Sequence, residues 1–128
     1  MAPLRYSLPK SHILRSKTDI DALVERGAVL FKYPVKAYWL ERETVSGQAA
    51  PDFSRMMVSV PKRGFKRAVK RNLLKRRIRE AWRLNASLLG GRHYDILFVY
   101  LGREIEGYER IQSSLTGILR TLAGGHAD

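Results

Sequence analysis

Arg71, Asn72, Lys75, Arg76, Arg79 and Arg83 lie three and four residues apart along one stretch of the chain. At about 100° per residue they gather into a ridge on one side of a helix, with Arg71 at its margin. Leu74, Ile78, Ala81, Asn85 and Leu88 fall on the other side, flanked by Trp82 and Leu84. The chemistry this predicts is a grip on phosphate. A guanidinium presents a planar fork that pairs with phosphate through two hydrogen bonds and stacks on bases. The amide of Asn72 can bond a ribose, a phosphate or a base edge, or instead a neighbouring arginine or backbone group. Each like-charged neighbour pair costs a few tenths of a kcal/mol, roughly, so a stable fold gains nothing from the clustering. A polyanion offsets that cost by neutralising the ridge and releasing counterions. A solvated helix face normally mixes signs, whereas here Glu80 is nearly alone.

The same residues offer no reaction. A nuclease needs a group near its phosphate grip that activates a nucleophile. His12, His93 and His126 are scattered, and the basic helix carries no carboxylate cluster suited to two metals. Asp19 and Asp21 belong to a short helix, where Asp19 suits the N-terminal turn. Gly64, Gly90 and Gly91 do not have phosphate-loop spacing.

The rest of the chain must carry this element. It has 128 residues, 45% of them hydrophobic, enough for one domain with one modest core. Net charge is +12, of which Lys62–Arg83 contributes +10 and the other 106 residues only +2. A near-neutral domain with one concentrated cationic element is the footprint of a nucleic-acid binder. There are no cysteines, which fits a reducing compartment. No stretch approaches the roughly 20 apolar residues that span a bilayer. Pro3, Pro9, Lys10 and His12 interrupt any secretory core at the start. The expected location is the cytoplasm.

The elements follow from periodicity and breakers. Ser16 or Thr18 can cap a helix over Asp19–Arg26, stopped by Gly27. Pro34 divides the next apolar stretch into strands over Val29–Lys32 and Val35–Glu41. In the second, Val35, Ala37 and Trp39 share one face, and Lys36, Tyr38 and Leu40 the other. Phe53–Val60 reads as a third strand, antiparallel to the second. The basic helix runs from Ala68 to about Leu88 and ends at Gly90–Gly91. Tyr94–Leu101 is nearly all apolar, as a central strand should be. Tyr108–Leu122 closes the chain as an amphipathic helix, with Ile111, Leu115, Ile118, Leu119 and Leu122 on one side. The fold class is α+β, in the order α-β-β-β-α-β-α, as a single domain over 1–128 with flexible ends at 1–15 and 123–128. Phe65, at the tip of the loop before the basic helix, is either a staple under that helix or an exposed stacking group.

The segment SVPKRGFKRAVKRNLLKRRIREAWR resembles the motif of the bacterial ribonuclease P protein component. Ser59-Val60, Lys62-Arg63, Ala68-Val69, Arg71-Asn72, Lys75-Arg76 and Arg79-Glu80 carry the match. Pro61 stands where the family usually has Ser. The resemblance implies a four-stranded sheet with a left-handed β-α-β crossover around the basic helix. It implies the small subunit of an endonuclease that removes the 5′ leader of precursor tRNA. The RNA subunit would hold the active site and its Mg2+ ions, with none held by the protein. The RNA contacts implied are Lys62, Arg63, Lys66, Arg67, Arg71, Asn72, Lys75, Arg76, Arg79 and Arg83. A separate cleft between the first helix and the sheet would take the leader, with Ile20, Val24, Lys36, Tyr38 and Ser59 as its residues. Ile20 and Val24 stand where the family often has phenylalanine, which removes aromatic stacking from that wall. Neither a membrane nor DNA is an implied partner. A ribosomal protein or RNA chaperone is the competing expectation, and a protein-only nuclease a third.

Overall fold

A computed structural model describes residues 10–124. It contains α1 (Lys17–Arg26), β1 (Ala28–Lys32), β2 (Val35–Glu41), β3 (Arg55–Ser59), α2 (Ala68–Asn85), β4 (Tyr94–Tyr100) and α3 (Tyr108–Ala123). Short 3-10 turns precede α1 (Lys10–His12) and follow α2 (Ala86–Leu89). The order is the one read from the sequence.

The four strands form one mixed sheet in the order β1-β2-β4-β3. Tyr33 and Pro34 make the turn that folds β2 back on β1, so Phe31 faces Lys36 and Val29 faces Tyr38. β3 runs antiparallel to β2, as the sequence reading has it, but is not its neighbour. β4 takes that place, pairing antiparallel with β2 and parallel with β3. The physical reason is burial. β4 is the most continuously apolar strand, so the centre of the sheet, covered on both faces, suits it best.

The main core lies on the face that carries Val35, Ala37, Met56, Val58, Ile96 and Phe98. α2 docks there through Leu74, Ile78, Ala81 and Trp82. α3 docks through Ile111, Leu115, Ile118, Leu119 and Leu122, all fully buried. At about 1.5–3 kcal/mol per buried aliphatic side chain, these stripes supply much of the fold's stability. Leu84 departs from its predicted flanking position and is exposed, and Leu88 is half-buried in the 3-10 turn that ends the helix.

The other face holds a smaller cluster in which Leu14, Leu23 and Leu97 are buried against Ile20, Tyr38, Leu40, Met57 and Val99. Ser16 caps α1 by accepting from the Asp19 amide. Gly27 ends the helix, and here glycine is required by close approach: a Cβ would lie 2.4 Å from the Leu23 carbonyl oxygen. Within the stretch 1–15, expected as a flexible end, Ile13 and Leu14 lie against β3. Ile13 bridges to Met56, the Leu14 amide donates to the Met56 carbonyl at 2.8 Å, and Leu14 is buried. The alternation of apolar residues there is too short to signal a strand. Residues 1–9 and 125–128 lie outside the described residues.

A polar network fixes α1 to the sheet. Arg55 donates two hydrogen bonds to Asp95, at 2.8 and 2.7 Å. Asp19 of α1 stands 3.5 Å from Arg55, and Arg42 stands 3.8 Å from Asp95. The hydrogen bond to Asp95 raises the Arg55 pKa above its ordinary value, with burial opposing. Asp95→Ala would remove both hydrogen bonds of the half-buried Arg55 guanidinium and leave it only the 3.5 Å contact with Asp19. We expect the unfolding free energy from urea titration to fall by about 2 kcal/mol. Replacing Arg55 in the same chain should recover part of that loss, because the uncompensated charge goes with it.

Candidate nucleic-acid interface

α2 has one face in the core and one in water, and the sequence determines which cations reach water. Asn72, Arg76 and Arg79 are exposed, while Lys75 and Arg83 are half-buried along the flanks. Among the described residues, Lys75, Arg76 and Arg79 make no ion pair and Asn72 makes no side-chain hydrogen bond. The amide of Asn72 is therefore presented outward and does not bond a neighbouring arginine. Arg83 differs: it donates to Glu80 at 3.1 and 2.6 Å, so its charge is balanced locally.

The loop before α2 extends this surface. Lys62, Arg63, Lys66 and Arg67 are all exposed. The first turn of α2 contains no acidic residue. The positive end of the helix dipole thus faces a cluster of cations, an arrangement that costs free energy in isolation. Phe65 is buried, its ring 5.9 Å from that of Tyr100, which settles it as a staple.

Arg71 makes two contacts within the protein itself. Its guanidinium turns back to donate to the carbonyls of Phe65 and Lys66, both at 2.8 Å. It ties the basic loop to the helix. Arg77, on the opposite flank, donates to the Glu106 carbonyl at 2.6 Å. Tyr100 completes that second loop: its hydroxyl donates to Glu104 and accepts from the Glu106 amide. Burial pushes the Tyr100 phenol above its ordinary pKa.

Arg103, at the tip of the loop so fastened, faces Arg63 across a groove of about 510 Å³ at the carboxyl ends of β3 and β4. Sequence reasoning missed Arg103. Its only signal is a cation directly after the glycine that follows an apolar strand.

The second candidate surface lies on the α1 side of the sheet. The cross-strand registers place Phe31, Lys36, Val99 and Ser59 in one row, and Val29, Tyr38, Leu97 and Met57 in the next. Lys36, Tyr38 and Ser59 are half-buried there, and the Lys36 ammonium sits 4.9 Å from the centre of the Tyr38 ring. Ile20 packs into the small cluster beneath α1, whereas Val24 is exposed. Lys36, Tyr38, Ser59 and Ile20 thus share the α1 side of the sheet, where Ile20 is partly buried. Phe31, exposed on that face, was also missed. Its signal is the two-residue turn, which fixes it opposite Lys36.

Among the described residues, no three His, Asp or Glu side chains come together as a metal site. No helix among them is long and apolar enough to cross a membrane.

A family model described as Ribonuclease P matches residues 8–123. A ribonuclease P protein component of Porphyromonas gingivalis is 30% identical over 129 residues, covering 96% of this chain and 91% of that protein. One from Borrelia turicatae is 30% identical over 107 residues, covering 83% of this chain and 87% of its own. Among solved structures, the RNase P proteins of Staphylococcus aureus and Thermotoga maritima match with TM-scores of 0.70 and 0.69. They are 23% and 22% identical, and the matches cover 87% and 84% of this chain and 94% of each of theirs. At that identity the likeness is one of fold.

The geometry separates two kinds of arginine. Arg76→Ala or Arg79→Ala should leave stability within about 0.5 kcal/mol of the parent. Each that meets an RNA phosphate should reduce the slope of log affinity against log salt by about 0.7–0.9. Arg71→Ala should instead cost about 1 kcal/mol of stability, through its two lost hydrogen bonds. Thermal unfolding alongside salt-titrated RNA binding distinguishes the two.

Proposed function

The chain belongs to the ribonuclease P protein family, and from that footing we propose that it assists a catalytic RNA subunit in removing the 5′ leader from precursor tRNA. One observation carries this reading: α2 is buried along one face and presents unpaired Lys75, Arg76 and Arg79 on the other. An RNA fold of high charge density is the partner that offsets their repulsion.

In this reading the chain contributes binding and position. Arg76 and Arg79, with Asn72 and Lys75 beside them, dock on the RNA subunit. Lys62, Arg63, Lys66 and Arg67 extend the contact around the N-terminal end of α2, and Arg83 adds to it from the other end. Arg71 shapes the basic loop and so sets where those four charges stand. Lys36, Tyr38, Val24 and Ser59 line the cleft for the single-stranded leader, and Ile20 supports it from below. The phosphodiester chemistry belongs to Mg2+ held by the RNA subunit. Cations supplied by the protein substitute for part of the ionic atmosphere that two folded RNAs need in order to approach, which lowers the magnesium demand of the complex. The working compartment is the cytoplasm.

The direct test is reconstitution. Mixed with its cognate RNA subunit, the protein should stimulate leader removal at magnesium concentrations where the RNA alone is slow. An Arg76→Ala, Arg79→Ala variant should need more magnesium for the same rate. Absence of stimulation by correctly folded protein would sink the proposal. Leader removal by the protein without RNA would do the same.

A further inference from the structure

We infer that Phe31 is a base-stacking residue for the single-stranded leader, so that the leader's path leaves the α1 cleft and continues across the edge hairpin. The inference rests on the proposed function above and deepens it.

β1 is an edge strand, and its outward apolar side chains are unusually open. Phe31 is 54% exposed and Val29 49%. An exposed apolar edge is a liability that proteins ordinarily suppress with charge or cover. Here charge is present, but it alternates with rings. Lys36 stands directly across from Phe31 and over the ring of Tyr38, at 4.9 Å. Phe31 meets Tyr33 edge to face, with centroids 6.5 Å apart at 80°. Arg110 of α3 lies over Tyr33 at 5.3 Å. The order along the surface is therefore Tyr38, Lys36, Phe31, Tyr33, Arg110.

That alternation fits an unpaired RNA strand better than any other occupant. Bases stack on aromatic faces with little sequence demand, and cations between the rings meet the phosphates. A second copy of this chain fits poorly, because it would bring together two surfaces that each carry Lys32, Lys36 and Arg110, in a protein of net charge +12. Ile20 and Val24 give α1 no ring on this face, and Phe31 supplies one from the strand opposite Lys36.

The test uses the holoenzyme reconstituted with its cognate RNA subunit. Affinity is measured for precursor tRNA and for the same tRNA without its leader. Phe31→Ala should weaken precursor binding about tenfold and leave the leaderless tRNA unaffected. Phe31→Trp should bind the precursor at least as well as the parent. Phe31→Leu, which keeps apolar bulk but lacks a ring, should behave like the alanine variant. If Phe31→Leu binds like the parent, the contact is apolar burial and the stacking role is wrong. If Phe31→Ala binds like the parent in a holoenzyme that still prefers precursor, the inference fails while the cleft assignment stands. If the parent holoenzyme shows no preference for precursor, the proposed function fails first. Sedimentation of the free protein covers the remaining occupant: a dimer dissolved by Phe31→Ala would make the patch a self-association surface and overturn the inference.

Discussion

The parallel pairing of β3 with β4 is the constraint from which the functional surfaces follow. Two parallel neighbours cannot be joined by a hairpin. The chain must leave one end of the sheet and return to the other. α2 and its 3-10 extension make that return. Because α2 crosses the sheet, it must bury one stripe along its length, and Leu74, Ile78, Ala81 and Trp82 provide it. The remaining surface of the helix is then directed into solvent as a rigid row. A flexible basic tail would carry the same charge, but each contact would have to pay for ordering the chain. On α2 that ordering cost is met by the core.

The same crossing explains why two loops are tied down so heavily. The turn into α2 and the turn out of β4 lie at one end of the sheet, and both carry arginines. Arg71 holds the first through two backbone carbonyls, and the Tyr100 hydroxyl and Arg77 hold the second. Neither loop has a regular ladder to satisfy its polar groups, so side chains do it. The result is that the loops carrying Arg63 and Arg103 are held by hydrogen bonds from Arg71, Arg77 and Tyr100. Some cations in this protein thus act by arranging others, and net charge alone would not reveal the difference.

The elements were legible where periodicity is strong and partners are implied by a single segment. α3 shows its apolar stripe at every turn, and β2 its alternation, so both were found with nearly correct bounds. What the sequence concealed was pairing. The sense of β3 against β2 is legible in the sequence, but that β4 lies between them is not, because the deep burial available to β4 decides the order. The Arg55–Asp95 pair was invisible for the same reason: its members are 40 residues apart and meet only once β3 and β4 align. Within the interface, helical spacing separated ridge from core correctly, but it could not show that Arg71 bends back to its own loop. Phe31 was overlooked because a role on a face depends on register, and register depends on the turn at Tyr33–Pro34.

The two surfaces differ in their physics, and that difference gives the fold its logic. The α2 side presents point charges on a rigid row, and their attraction decays as salt screens it. The α1 side mixes rings with a few cations, and stacking there is far less sensitive to salt. On the proposed function, the first surface is the one for a folded RNA of high charge density and the second the one for an unpaired strand with open base faces. The sheet keeps the two on opposite faces of a single layer, joined at the loops that carry Arg63 and Arg103. Strengthening one surface therefore need not disturb the other, provided the Arg55–Asp95 network keeps α1 seated. A domain of this size can in that way present two surfaces of unlike physics without a second core.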